Sequence, residues 1–274
     1  MGSNRTIVAI LVGLAAALWL GVATAAAAHR TVTPPPAIKS AGKILFCTDA
    51  TYPPEESLQG TTFVGSDIDL AGAVAAQMGV KATFKNTTFD SIIAALKTKK
   101  CDAVISGMND TSDRRKQVDF VDYLKVGQSI MVKAGNPLHI TKLADLSGKS
   151  VSVESGTTDR DFLAAQSAKL VKAGKKAIDI HTFPKDTDAA AALKAGRVDA
   201  YFGDSPVAVY YVSRDKSFAI GGAPIAPIPI GIAIRKGDPL KAATQAALNA
   251  LYANGTIKKI VTKWGMTNAV TLLK

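Results

Sequence analysis

From residue 44 onward, short apolar runs alternate with segments of helical period, and that alternation admits few folds other than parallel α/β ones. Residues 44–48 read as a strand. Ser66 caps a helix that runs to about Met78, with Ile68, Ala71, Ala75 and Met78 on one face and Gly79 as its stop. A strand at 81–85, a helix at 90–99 and a strand at 103–106 follow, then Gly107 and a polar turn into a short basic helix from Ser112. A second series starts at 129–133. It has strands at 151–154, 178–183 and 200–202, and helices at 158–171 and 187–193; Ser205-Pro206 opens another helix. Residues 225–234 are apolar but contain Pro227 and Pro229, so they read as a connector rather than a central strand. Asp238-Pro239 opens a long helix ending at Asn254-Gly255, and Thr256 caps a last one.

The polar residues gather where strands end: Asp49, residues 106–111, residues 155–159 and Asp204. Ligands of open α/β sheets sit at those ends. Two such sheets facing one another would enclose a polar site between them.

The remaining features bound compartment and class. A content of 47% apolar residues over 274 positions excludes disorder as the main state. Two cysteines exclude a disulfide-stapled miniprotein. Arg5 is the only charge before Arg30, and an apolar stretch and an Ala-rich end lie between them. This pattern predicts a secretory signal peptide over 1–28, cleaved within 25–28, rather than a membrane anchor. No cysteine stands near the cleavage region, so a periplasmic protein without a lipid anchor is expected. Residues 29–37, with three consecutive prolines, read as an extended leader. The net charge of +11 comes from scattered clusters without interleaved aromatics, which predicts a solvated basic surface and no nucleic-acid partner. His29, His139 and His181 have no metal-ligand spacing, and no nucleophile elbow or phosphate loop occurs, so neither metal, cofactor nor catalytic group is expected.

Cys47 stands two residues before Asp49, and Cys101 five before Ser106. If those strands are parallel neighbours with Asp49 and Ser106 level, the thiols are offset by roughly 10 Å at about 3.3 Å per residue. They then also lie on opposite faces. A disulfide tolerates a Cα separation of about 7 Å, so two free thiols are expected.

Six segments in order resemble the amino-acid-binding proteins of ABC importers (extracellular solute-binding protein family 3). They are Thr48-Asp49-Ala50-Thr51-Tyr52-Pro53-Pro54, Gly65-Ser66-Asp67-Ile68-Asp69-Leu70, and Ser106-Gly107-Met108-Asn109-Asp110-Thr111 with Arg114 and Gln117-Val118-Asp119-Phe120. The later ones are Ser155-Gly156-Thr157-Thr158, Asp204-Ser205-Pro206-Val207-Ala208, and residues 229–238. The resemblance covers about residues 42–265. It implies a two-lobed α/β receptor of the periplasmic-binding-protein type, each lobe a mostly parallel sheet flanked by helices, with two hinge crossings near 125–128 and 228–231. Lobe one is then 38–126 plus the return segment 230–274, and lobe two 127–229.

By the same resemblance, Arg114 holds a ligand carboxylate with its planar fork, and Asp204 accepts from the ligand ammonium. Ser106, Gly107 and Asn109 belong to the first-lobe binding motif. Thr157 and Thr158, at a helix start, offer backbone N–H groups or simply cap the helix. Tyr52 and Phe89 sandwich the ligand side chain, or are core. Asp49 lies near that side chain, or satisfies nearby backbone donors. The chain departs from the family pattern at Glu55 and Glu56, at Ser66, and at Asn109-Asp110. If Asp49, Glu55 and Asp110 all lie near the side-chain end, a polar or cationic ligand side chain is favoured over an acidic one.

The resemblance implies a monomeric receptor that delivers an amino acid or close derivative to a membrane permease. Two alternatives share the fold: an enzyme resembling periplasmic cyclohexadienyl dehydratases, with Glu55 as a candidate acid, and a sensory module.

Overall fold

The computed structural model describes residues 32–273. The expected signal peptide and its cleavage site lie outside these residues. The leader is shorter than expected: helix α1 (Pro36–Ala41) starts on a proline that is tolerated in a first turn, and Gly42 ends it at φ 65°. Strand β1 (Lys43–Thr48) is followed by β2 (Thr51–Tyr52), β3 (Glu56–Gln59) and β4 (Thr62–Val64), a small antiparallel sheet that the hydrophobic pattern did not announce. Then come α2 (Ser66–Gln77), β5 (Lys81–Asn86), α3 (Phe89–Lys97), β6 (Ala103–Val104), α4 (Ser112–Arg115) and the long β7 (Val118–Lys133). A second run holds β8 (Ser150–Glu154), α5 (Thr158–Lys172), β9 (Asp179–Phe183), α6 (Asp186–Lys194), β10 (Ala200–Asp204), α7 (Ser205–Arg214) and β11 (Phe218–Ile220). The chain returns through β12 (Ile225–Arg235), α8 (Leu240–Ala253), α9 (Thr256–Lys263) and β13 (Val270–Leu272). Among the described residues no helix is long and apolar enough to cross a membrane.

The main sheet has the order β5-β1-β6-β12-β7-β10-β8-β9. β1 pairs in parallel with β5 and β6 in one half, and β8 with β10 and β9 in the other. Between them β7 and β12 run antiparallel to one another and carry the chain from half to half. Residues 225–234 are therefore not a connector but most of a strand. Pro227 is tolerated because the pairing is irregular between Ile225 and Ile228, whereas Pro229 keeps its place opposite Lys125. The two expected crossings pair with each other, Val126 with Ile228 and Leu124 with Ile230. One half is packed by α2, α8 and α9 around Leu70, Val74 and Leu248, the other around Leu163, Leu193 and Phe202.

Two caps differ from expectation. Gly65, not Ser66, precedes the first turn of α2, at φ 145°. A Cβ at Gly65 would lie 1.9 Å from the Glu55 carbonyl oxygen, so only glycine fits there. Gly255, in the left-handed region, precedes α9, and Thr256 is its first residue.

The expectation of two free thiols is wrong. Cys47 and Cys101 form a disulfide with Cα atoms 5.7 Å apart. The assumed register holds, since Cys47 pairs with Val104, which places Asp49 beside Ser106. The error lay in running the strand backward. β6 begins only at Ala103, and Cys101 and Asp102 lie in a bend after Lys99, whose φ is 60°. That bend is tied to β1 by Asp102 N–H to Leu45 O (2.7 Å) and Leu45 N–H to the Asp102 carboxylate (2.8 Å).

Candidate functional site

The polar ends of β1, β6, β8 and β10 converge where the two halves meet. Asp49, just beyond β1, donates its N–H to Ser106 Oγ (2.9 Å). Its carboxylate accepts from Phe89 N–H and Thr51 Oγ1, both at 2.8 Å. Of the two roles open to Asp49, the local one is filled: it anchors the start of α3. Ser106 Oγ in turn donates to Glu56 Oε1 (2.7 Å). Gly107 stands at φ 52°, donates its N–H to Asp67 Oδ2 (2.8 Å), and lies so close that a Cβ would be 3.2 Å from the Tyr52 ring. Anchoring α3 sets the Phe89 ring, which lies 5.2 Å from the Arg114 guanidinium carbon.

Arg114 sits in the turn of α4, which Thr111 caps by accepting Arg114 N–H at 3.2 Å. Its Nη1 donates to Asn109 O (2.9 Å) and its Nη2 to Gly156 O (3.2 Å), in the other half. Two further contacts cross between the halves at the same level: Thr158 Oγ1 to Asn109 Oδ1 (2.5 Å) and Asp204 N–H to the Tyr52 hydroxyl (3.2 Å). A third joins Asp186 N–H to Thr51 Oγ1 at 3.3 Å. Thr157 caps α5, donating to Glu154 O and accepting from Arg160 N–H.

Seven of the ten expected residues line one enclosed cavity: Tyr52, Phe89, Ser106, Gly107 and Asn109 from one half, Thr157 and Asp204 from the other. Asp49, Arg114 and Thr158 stand behind that wall and hold it. The cavity measures about 10 Å³, room for about one water. The halves are thus closed on each other by direct contacts. A larger groove of about 490 Å³ on the surface, between α7 and the residues following α9, has none of the unpartnered buried side-chain atoms.

Two cavity residues were not singled out from sequence, Glu154 and Asp159. Glu154 ends β8, the position equivalent to Asp204 at the end of β10, and that placement was the available signal. Glu154 Oε1 and Asp204 Oδ1 are buried without a hydrogen-bond partner. Burial pushes both carboxyls well up, reinforced by Asp186 and Asp49 at Glu154 and by Asp159 and Glu55 at Asp204. Asp159 accepts from Gln128 Nε2 (2.6 Å); burial raises it to about 6, against the pull of Gln128 and Arg114. Asp186, behind the cavity, accepts from the Tyr201 (2.6 Å) and Tyr211 (2.8 Å) hydroxyls and is raised by burial to about 7. Among the described residues, nine acidic residues are buried against one basic residue, Arg114.

Two acids expected near the ligand do not line the cavity. Asp110 turns away to accept from Arg115 Nε at 2.6 Å. Glu55 is buried behind Gly107, with Oε2 unpartnered.

Residues 44–267 match the bacterial extracellular solute-binding proteins, family 3. The chain belongs to this family. It is 35% identical over 232 residues to an ABC transporter arginine-binding protein of Escherichia coli K12, covering 82% of this chain and 91% of the relative. An ancestral arginine-binding protein bound to arginine superimposes with a TM-score of 0.75 at 40% identity, covering 81% of this chain and 98% of that one. An ancestral amino-acid-binding protein described as a precursor of cyclohexadienyl dehydratase gives a TM-score of 0.76 at 37% identity, over 83% and 97% of the two chains.

Proposed function

We propose that this chain is an exported receptor of an ABC importer that closes its two lobes, 38–126 with 230–274 and 127–229, around an amino acid. In this reading a monomer with its signal peptide removed hands the ligand to a membrane permease. The observation that carries it is the pairing of opposite charges across one enclosed space. The Arg114 guanidinium of one half stands directly behind the cavity wall, against Phe89 and Asn109 that line it, and Asp204 of the other half lines the cavity with Oδ1 buried and unpartnered. The carboxylate and ammonium of an amino acid are adjacent, so one small molecule satisfies both and replaces the direct contacts between the halves. Its entry requires the halves to part, since the closed cavity is too small.

A thermal-shift screen of the amino acids on purified protein, with native mass spectrometry for any carried ligand, tests this. A ligand at 100 times its Kd should add about 2.7 kcal/mol. No stabilisation by any amino acid would refute the reading. The dehydratase alternative placed Glu55 in the cleft as an acid; the side chain is absent from the cavity wall, and no turnover of arogenate or prephenate is expected.

A further inference from the structure

Two cavity carboxylates have an oxygen that meets no donor, and an amino acid's α-ammonium accounts for only one of them. Asp204 takes that role in the reading above, on which this inference rests. Asp159 is already served by Gln128 and by the field of Arg114. Glu154 is left. It is 3% exposed, and Oε1 has no partner. The charged groups that act on it most strongly, Asp186, Asp49 and Asp159, are all acidic, and the Asp186 amide is a donor beside it. A buried carboxylate among like charges is costly until a cation reaches it. The same cavity offers the rings of Tyr52 and Phe89, surfaces suited to an aliphatic stem.

We propose that Glu154 determines specificity: it accepts the cationic group at the far end of the ligand's side chain, and the ligand is a basic amino acid. A neutral ligand of the same shape leaves Glu154 unmatched when the halves close. Sites built around a buried polar partner reject analogues lacking it by large factors.

The test compares arginine with its uncharged isostere citrulline by calorimetry, on wild type, Glu154→Gln and Glu154→Asp, with thermal melts to confirm folding. Wild type should prefer arginine by at least about 100-fold. Glu154→Gln should bring the two ligands to near equality, chiefly by weakening arginine, with citrulline affinity little changed. Glu154→Asp should keep part of the preference, because a carboxylate remains. An unaltered preference in Glu154→Gln overturns the proposal. So does equal binding of the two ligands by wild type, which decides the matter even where a variant fails to fold. If wild type takes only neutral or acidic amino acids, this inference falls and the receptor reading stands; if it takes none, both fall.

Discussion

Removing the Cys47–Cys101 disulfide should lower stability by an amount set by the loop it closes. The two cysteines are separated by 54 residues. The loss of chain entropy on closing such a loop in the unfolded state corresponds to about 4 kcal/mol at 25 °C. For a chain of this size each kcal/mol moves the melting temperature by about 2–4 °C, so a fall of roughly 8–16 °C is expected. The perturbation is the double variant Cys47→Ala/Cys101→Ala, measured by calorimetry against the oxidised and the reduced wild type. The reduced protein is the necessary control. Both residues are buried, so the alanines also remove packed sulfur, whereas reduction leaves the sulfurs in place. If the entropy argument is right, reduction alone gives most of the fall. A titration of the denatured, unreduced protein should find no thiol. Ligand affinity should change little, because Asp49 N–H to Ser106 Oγ and the β1–β6 register hold this part of the site independently. A reduced protein that melts within about 2 °C of the oxidised one would refute the reasoning. A double variant that falls while the reduced protein does not would assign the effect to packing instead.

Arg114→Ala should weaken binding of the ligand found by screening by roughly 3–5 kcal/mol, because it strands a desolvated carboxylate; affinity within tenfold of wild type by calorimetry would contradict its assigned role. Gly65→Ala should cost about 3 kcal/mol or more, since it combines a positive φ with a clash against the Glu55 carbonyl; a denaturant midpoint equal to that of wild type would show that the β3–α2 approach relaxes freely. The unliganded protein should lose stability as pH rises. Asp186 at about 7 and Asp159 at about 6 bind protons in the folded state that the unfolded chain, with its carboxyls near 4, has already released. The effect runs over about pH 4 to 7, above the range where the depressed Asp215, at about 2, matters. Melting should therefore be lower at about pH 8 than at about pH 5, and Asp186→Asn should flatten the slope; a melting temperature that rises over this interval would overturn the assignment.

Away from α1, the β2–β4 sheet and β12, much of the element type and order was legible along the chain, because period and capping are local. The apolar runs at residues 44–48 and 151–154, and the stops at Gly79 and Gly255, depend on neighbours a few positions away. The motif residues Ser106, Gly107, Asn109 and Asp204 meet in space because they follow or end strands whose parallel pairing brings those ends to one edge, and Tyr52 reaches the same edge from the small antiparallel sheet after β1. Partnership was not legible. Whether Cys101 reaches Cys47 depends on a bend that no periodicity records. Whether residues 225–234 form a strand depends on β7 tolerating an irregular pairing around Pro227. Whether Asp110 or Glu154 faces the cavity depends on Arg115 capturing the first and on no cation standing near the second. Local sequence sets what each segment can become. Burial and charge pairing are properties of which distant segments come together, so only the tertiary structure decided them.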